Sequence, residues 1–140
     1  MKKREAVSKI MQRELKTMSV HDGNLKDAKT MMEENNIRHL PIVSGEKLVG
    51  IISLTDIHRI SFGGNYGQAS AVDASIYDTL SLEHVMMSEP RTVKEDTTIK
   101  EVAEQLAVEE FHALPVVDNE NKLEGIVTTT DLVNYLIEQY

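Results

Sequence analysis

One feature constrains the fold more than any other: the chain repeats itself. The segment Asn36-Ile37-Arg38-His39-Leu40-Pro41-Ile42-Val43 is echoed by Glu110-Phe111-His112-Ala113-Leu114-Pro115-Val116-Val117, an offset of 74. Further on, Lys47-Leu48-Val49-Gly50-Ile51-Ile52-Ser53-Leu54-Thr55-Asp56 recurs as Lys122-Leu123-Glu124-Gly125-Ile126-Val127-Thr128-Thr129-Thr130-Asp131. The offset there is 75, so the second copy carries one extra residue in the intervening turn. Upstream, Ile10-Met11 matches Val85-Met86, and Thr17-Met18 matches Thr92-Val93. A duplicated unit exposes the same apolar face twice, so the copies are expected to pack about a pseudo-twofold axis.

Each copy carries the same string of elements. Apolar Leu25, Ala28, Met31 and Met32 recur at helical spacing and predict a helix over 25–35; Ile99, Val102, Ala103 and Leu106 predict its counterpart over 99–109. Asp96-Thr97-Thr98 supplies a cap before the second helix. Leu40–Val43 and Leu114–Val117 read as short buried strands, with Leu40 and Leu114 in the core. Polar turns join them in hairpins to second strands over 48–53 and 123–128. Helices are expected over about 55–60 and 130–139, and short helices near 7–11 and 82–87 lead into the copies. The division expected is 1–61 for the first copy with its N-terminal helix, 62–79 for a Gly- and Ser-rich mobile linker, and 80–140 for the second copy.

Composition narrows the function. With 15 basic against 23 acidic residues, the formal charge of −8 opposes binding to a nucleic-acid backbone. It still permits one small anion in a locally basic cleft. The absence of cysteine removes disulfides, thiolate metal sites and cysteine nucleophiles. No apolar run approaches the roughly 18 residues of a membrane span, and the basic start Met1–Glu5 has no apolar stretch behind it. A soluble, cytoplasmic protein is expected. His21, His39, His58, His84 and His112 show no zinc spacing, and no nucleophile elbow or phosphate-loop pattern occurs, so neither a metal nor an enzymatic activity is expected.

The Leu-Pro strand and the Gly-hydrophobic-hydrophobic-Ser/Thr-x-Ser/Thr-Asp ending, in order and twice, resemble the cystathionine-beta-synthase (CBS) domain family, over about 7–60 and 82–137. The resemblance implies an α/β (α+β) fold of two β-α-β-β-α repeats, packed sheet to sheet into a stand-alone Bateman module with two clefts. It also implies a regulatory ligand: AMP, ADP, ATP, S-adenosylmethionine or another adenosine compound. Many such modules dimerise and regulate an enzyme or transporter. The alternative is a ligand-free scaffold for protein interaction.

The candidate ligand residues come from the repeated motifs. A carboxylate at a strand-to-helix junction, Asp56 or Asp131, can accept hydrogen bonds from both hydroxyls of a ribose. Strand alternation would place Ser53 with Thr55, and Thr128 with Thr130, on one side, toward phosphate or ribose. Thr55, Asp56, Thr130 and Asp131 also suit helix capping. In relatives, the positions before the Leu-Pro strand reach phosphate, which here carries over to Arg38, His39 and His112. Ala113 stands where the first copy has His39. Thr17 and Thr92 are placed near the adenine by the resemblance, or are half-buried strand residues. The methionines are expected in the core or at a dimer surface. Ile57 and Ile60, with Leu132, Val133, Leu136 and Ile137, predict an apolar face that pairs two copies.

Overall fold

A computed structural model describes residues 4–62, 80–108 and 112–140. The expected linker beyond Phe62, residues 63–79, and Phe111 of the repeated motif lie outside the described residues. The chain divides into two compact units. One is Lys16–Glu89; the other joins Met1–Leu15 to Pro90–Tyr140.

In the unit Lys16–Glu89, the elements are β1 (Met18–Ser19), α1 (Leu25–Glu34), β2 (His39–Ser44), β3 (Lys47–Ser53), α2 (Leu54–Phe62), α3 (Leu82–Val85) and β4 (Met87–Ser88). The sheet order is β1-β2-β3-β4. Strand β1 runs parallel to β2, with Met18 opposite Ile42, and β2 and β3 form the antiparallel hairpin. The helix α1 starts where Asn24 accepts the N–H of Asp27 on its side-chain oxygen at 2.8 Å. Its buried Leu25, Ala28 and Met32 join Leu40, Ile42, Ile52 and Ile57 in one core.

The second unit repeats the pattern with α4 (Ile99–Val108), β5 (Ala113–Val117), β6 (Leu123–Thr128) and α5 (Thr129–Glu138). Val93 bridges Val116 in parallel, the counterpart of β1 on β2. Thr98 and Glu101 exchange backbone-to-side-chain bonds and cap α4. Leu114, Val116, Val102 and Val127 lie at the centre of this core. Leu40 and Leu114 are fully buried, as the apolar strands require.

The units exchange their leading segments. Leu82 belongs to the stretch before the second copy, yet it packs in the core of the first. Val7 and Met11 precede the first copy, yet they pack in the core of the second. A strand edge takes each segment up: β4 pairs antiparallel with β3, Met87 opposite Ile51, and Gln12 bridges Ile126 antiparallel. Ile126 lies 75 residues after Ile51, and Met87 lies 75 after Gln12, so the two pairings are equivalent.

Three expectations are corrected here. The expected helix over 82–87 ends at Val85, and Met87–Ser88 is an edge strand. The helix near 7–11 is one 3-10 turn, Val7–Lys9. Ile57 is buried in the core of its own unit, so it offers nothing to a second copy; of the residues expected on that face, Val133, Leu136 and Ile137 on α5 are exposed. Of the methionines, Met11, Met18 and Met32 are buried, Met31 and Met86 are half-buried, and Met87 is exposed.

The motif glycines explain how the exchanged segments dock. A Cβ on Gly125 would stand 2.8 Å from the Gln12 carbonyl oxygen and 3.0 Å from Met11 Sδ. A Cβ on Gly50 would run into the Met86 side chain at Sδ. At Gly125 only a residue without a side chain lets the incoming backbone approach this closely.

Candidate functional site

Each unit brings its motif residues to one sheet end, where the second hairpin strand turns into a helix. In the first, β3 ends at Ser53 and α2 begins at Leu54. Ser53 Oγ accepts the Asp56 N–H at 3.0 Å, and Asp56 Oδ2 accepts the Ser53 N–H at 3.4 Å. This reciprocal pair is a capping box. In the second, Thr128 Oγ1 accepts the Asp131 N–H at 3.2 Å, and Asp131 Oδ2 accepts the Thr128 N–H at 2.9 Å. The capping boxes therefore fall on four of the candidate ligand residues, Ser53, Asp56, Thr128 and Asp131.

The starts of the first hairpin strands, β2 and β5, position Arg38, His39 and His112. His39 lies opposite Ser53 in the hairpin register, and Ala113 lies opposite Thr128. The Arg38 carbonyl accepts the N–H of Leu54 at 2.8 Å; the His112 carbonyl accepts the N–H of Thr129 at 3.0 Å. These bonds fix Arg38 and His112 beside the helix starts, with both residues exposed and His39 half-buried. Thr17 and Thr92 each precede a residue paired with the first hairpin strand, Met18 with Ile42 and Val93 with Val116. Both are half-buried, toward the same sheet end.

Thr55 and Thr130 are placed differently from the expectation. The strands stop at Ser53 and Thr128, so strand alternation does not govern the next hydroxyls. Thr55 and Thr130 lie in the first helical turn and are exposed. The helix amides are also less available to phosphate than expected. Those of Leu54 and Thr129 go to the Arg38 and His112 carbonyls, and those of Asp56 and Asp131 go to the cap hydroxyls.

The two carboxylates have unequal surroundings. The Asp56 side chain is 34% exposed, with the Arg59 guanidinium 3.8 Å from Oδ1. Asp131 is buried. Its Oδ2 takes a second bond, from the Thr128 hydroxyl at 3.1 Å, and its Oδ1 accepts from Gln12 Nε2 at 2.8 Å. Sequence reasoning did not single out Gln12; an isolated Gln carries no signal, and only the chain exchange brings it to Asp131. Nearby, the Tyr135 hydroxyl donates to Glu5, and that carboxylate, together with burial, raises the phenol above its ordinary range. Among the described residues, no cluster of three or more His, Asp or Glu could hold a metal ion. No described helix is long and apolar enough to cross a membrane.

Fold and site together define a protein built from two copies of one α/β unit, each ending its hairpin in a capped carboxylate. The CBS domain profile matches residues 7–63 and 82–138, and the chain belongs to the CBS domain family as a tandem pair. Among curated proteins it is similar to protein MJ1225 of Methanocaldococcus jannaschii, 33% identical over 79% of this chain and 40% of that protein. It is also similar to a homoserine O-acetyltransferase of Methanobrevibacter ruminantium, 30% identical over 96% of this chain and 24% of the enzyme. The chain thus spans less than half the length of these relatives. The crystal structure of MJ1225 superposes with a TM-score of 0.83 at 28% identity, over 97% of this chain and 49% of that one. A CBS domain pair of protein MJ0100, solved with 5′-methylthioadenosine and S-adenosyl-L-methionine, superposes with a TM-score of 0.78 at 26% identity. That match covers 96% of this chain and 98% of the other.

Proposed function

We propose that the chain is a regulatory module that binds an adenosine-type nucleotide and has no catalytic role of its own. The single observation that carries this is the capped carboxylate, built twice. Asp56 and Asp131 each stand at a strand-to-helix junction, with Arg38 or His112 fixed alongside by a backbone bond. The MJ0100 pair, solved with two adenosine compounds, supports the ligand class.

In this reading Asp56 accepts the ribose hydroxyls. Charge-assisted bonds of this kind are worth about 1.5–3 kcal/mol each when shielded from water. Arg38 meets phosphate, which a guanidinium can grip through two parallel bonds while staying charged. The site near Arg38 therefore gains more from added phosphates than the one near His112. AMP, ADP, ATP and S-adenosylmethionine all present the required diol, and the number of phosphates they carry discriminates among them.

Calorimetry with adenosine, AMP and ATP tests the assignment. Asp56→Ala removes a binding event, and Arg38→Ala weakens ATP more than adenosine. Full binding of every ligand by Asp56→Ala and Asp131→Ala would reduce both motifs to helix caps. The interaction-scaffold reading would then take precedence. That alternative draws on a separate observation: Val133, Leu136 and Ile137 on α5 are 55%, 42% and 64% exposed. Pairing of two copies, and attachment to a regulated partner, belongs on that face.

A further inference from the structure

The two copies match closely in their motifs but differ in the edge segment that docks beside them. Gln12 and Met87 are equivalent by the 75-residue offset, and both occupy the incoming edge segment, opposite Ile126 and Ile51 respectively. Gln12 carries an amide donor; Met87 carries a thioether, which has none. The consequence is visible at the carboxylates. Gln12 Nε2 donates to Asp131 Oδ1 at 2.8 Å, while the Thr128 N–H and hydroxyl occupy Oδ2. A carboxylate has about four acceptor positions, and three bonds already reach buried Asp131. A ribose diol brings two more donors for the one position left, so one present donor has to give way, and on Oδ1 that donor is the Gln12 amide. Asp56 receives one backbone N–H, and Arg59 stands at 3.8 Å without displacing anything from its second oxygen.

We propose that Gln12 is a lock on the second carboxylate, and that Met87 leaves the first one open, so that the protein fills its Asp56 site before its Asp131 site. This rests on reading the two carboxylates as ribose acceptors. Gln12 is held in place independently of its side chain. Its N–H donates to the Ile126 carbonyl at 2.8 Å, and its carbonyl accepts the Ile126 N–H at 3.0 Å. Replacing the side chain therefore leaves the bridge and the fold intact. The lock makes Gln12 a specificity-determining residue: it sets the order of filling, and hence the nucleotide concentration at which the second site responds.

The reciprocal exchange Gln12→Met and Met87→Gln tests this with AMP as the probe in calorimetry. Removing the competing amide tightens the Asp131 site by about tenfold or more, the equivalent of one charge-assisted hydrogen bond. Adding Asp131→Ala to Gln12→Met abolishes the gain. Met87→Gln installs the lock in the first copy and weakens the Asp56 site by a similar factor. The parent should show a tight event that disappears in Asp56→Ala. Equal affinities at both sites of the parent, or a Gln12→Met variant that binds as the parent does, overturns the lock while leaving nucleotide binding intact. If neither the parent nor any variant binds AMP, the ribose reading itself fails and takes the lock with it. Melting temperatures of both exchange variants close to that of the parent confirm that the readout is local.

Discussion

The motif glycines can be separated by what a methyl group would strike. At Gly125 the added Cβ lies 2.8 Å from the Gln12 carbonyl oxygen, a backbone atom held by the paired bonds to Ile126. Relief requires the incoming segment to move, which strains or breaks two hydrogen bonds of about 0.5–1.5 kcal/mol each. Overpacking of this kind typically costs about 1–3 kcal/mol. At Gly50 the Cβ meets Met86 Sδ and, at 2.9 Å, Met86 Cγ, both on a flexible side chain. A thioether can rotate away, and the stiffer unfolded chain returns about 0.4–1 kcal/mol. Gly125→Ala should therefore lower stability by about 1–3 kcal/mol, whereas Gly50→Ala should stay within about 1 kcal/mol of the parent. Urea denaturation followed by circular dichroism measures both. Equal losses at the two glycines, or a neutral Gly125→Ala, would refute the assignment of a backbone neighbour to Gly125 and a movable side-chain neighbour to Gly50.

Other outcomes follow from single residues. Leu114 is fully buried at the centre of its core, so Leu114→Ala should cost about 2–5 kcal/mol; an unchanged denaturation midpoint would contradict that placement. The Asp118 carboxyl is held below its ordinary range, chiefly by the Lys122 N–H at 2.9 Å, against a smaller opposing effect of burial, with the Glu120 N–H adding to the lowering. A depressed carboxyl contributes stability that is present above its unfolded pKa and lost as pH falls through the folded one. Asp118→Asn should thus be less stable than the parent at neutral pH, and the gap should narrow below about pH 4. An unchanged gap there would contradict the turn geometry. Ile137→Glu on the exposed face of α5 should shift light scattering from a dimer mass to a monomer mass; a parent already monomeric at micromolar concentration removes that face from the account.

How much of this was legible in the sequence depends on the range of the interaction. The hairpins, with Leu40 and Leu114 buried, follow from short apolar runs between polar turns. The helices at Leu25 and Ile99 follow from spacing and local caps. Strand β4 was not legible, because two residues carry no periodicity and Met87 owes its pairing to a distant partner, Ile51. The exchange of leading segments was hidden for the same reason: Val7 and Leu82 look alike whichever core receives them. Thr55 and Thr130 were misplaced because the cap residue ended each strand, a boundary set by hydrogen bonds to the following turn. Asp56 and Asp131 were legible as junction residues suited to capping, but their cap partners Ser53 and Thr128 were not, because the expected helix starts lay two residues later, at Thr55 and Thr130. The Gln12 contact was not, since it spans 119 positions and depends on the exchange.

The central claim is that a capped carboxylate of this CBS pair holds the ribose of an adenosine nucleotide. A crystal structure of the full chain grown with AMP tests it most directly. The account predicts both ribose hydroxyls within hydrogen-bond distance of the Asp56 carboxylate and the phosphate turned toward Arg38. A nucleotide bound with its ribose away from both Asp56 and Asp131, or crystals grown at saturating AMP that hold none, would contradict it.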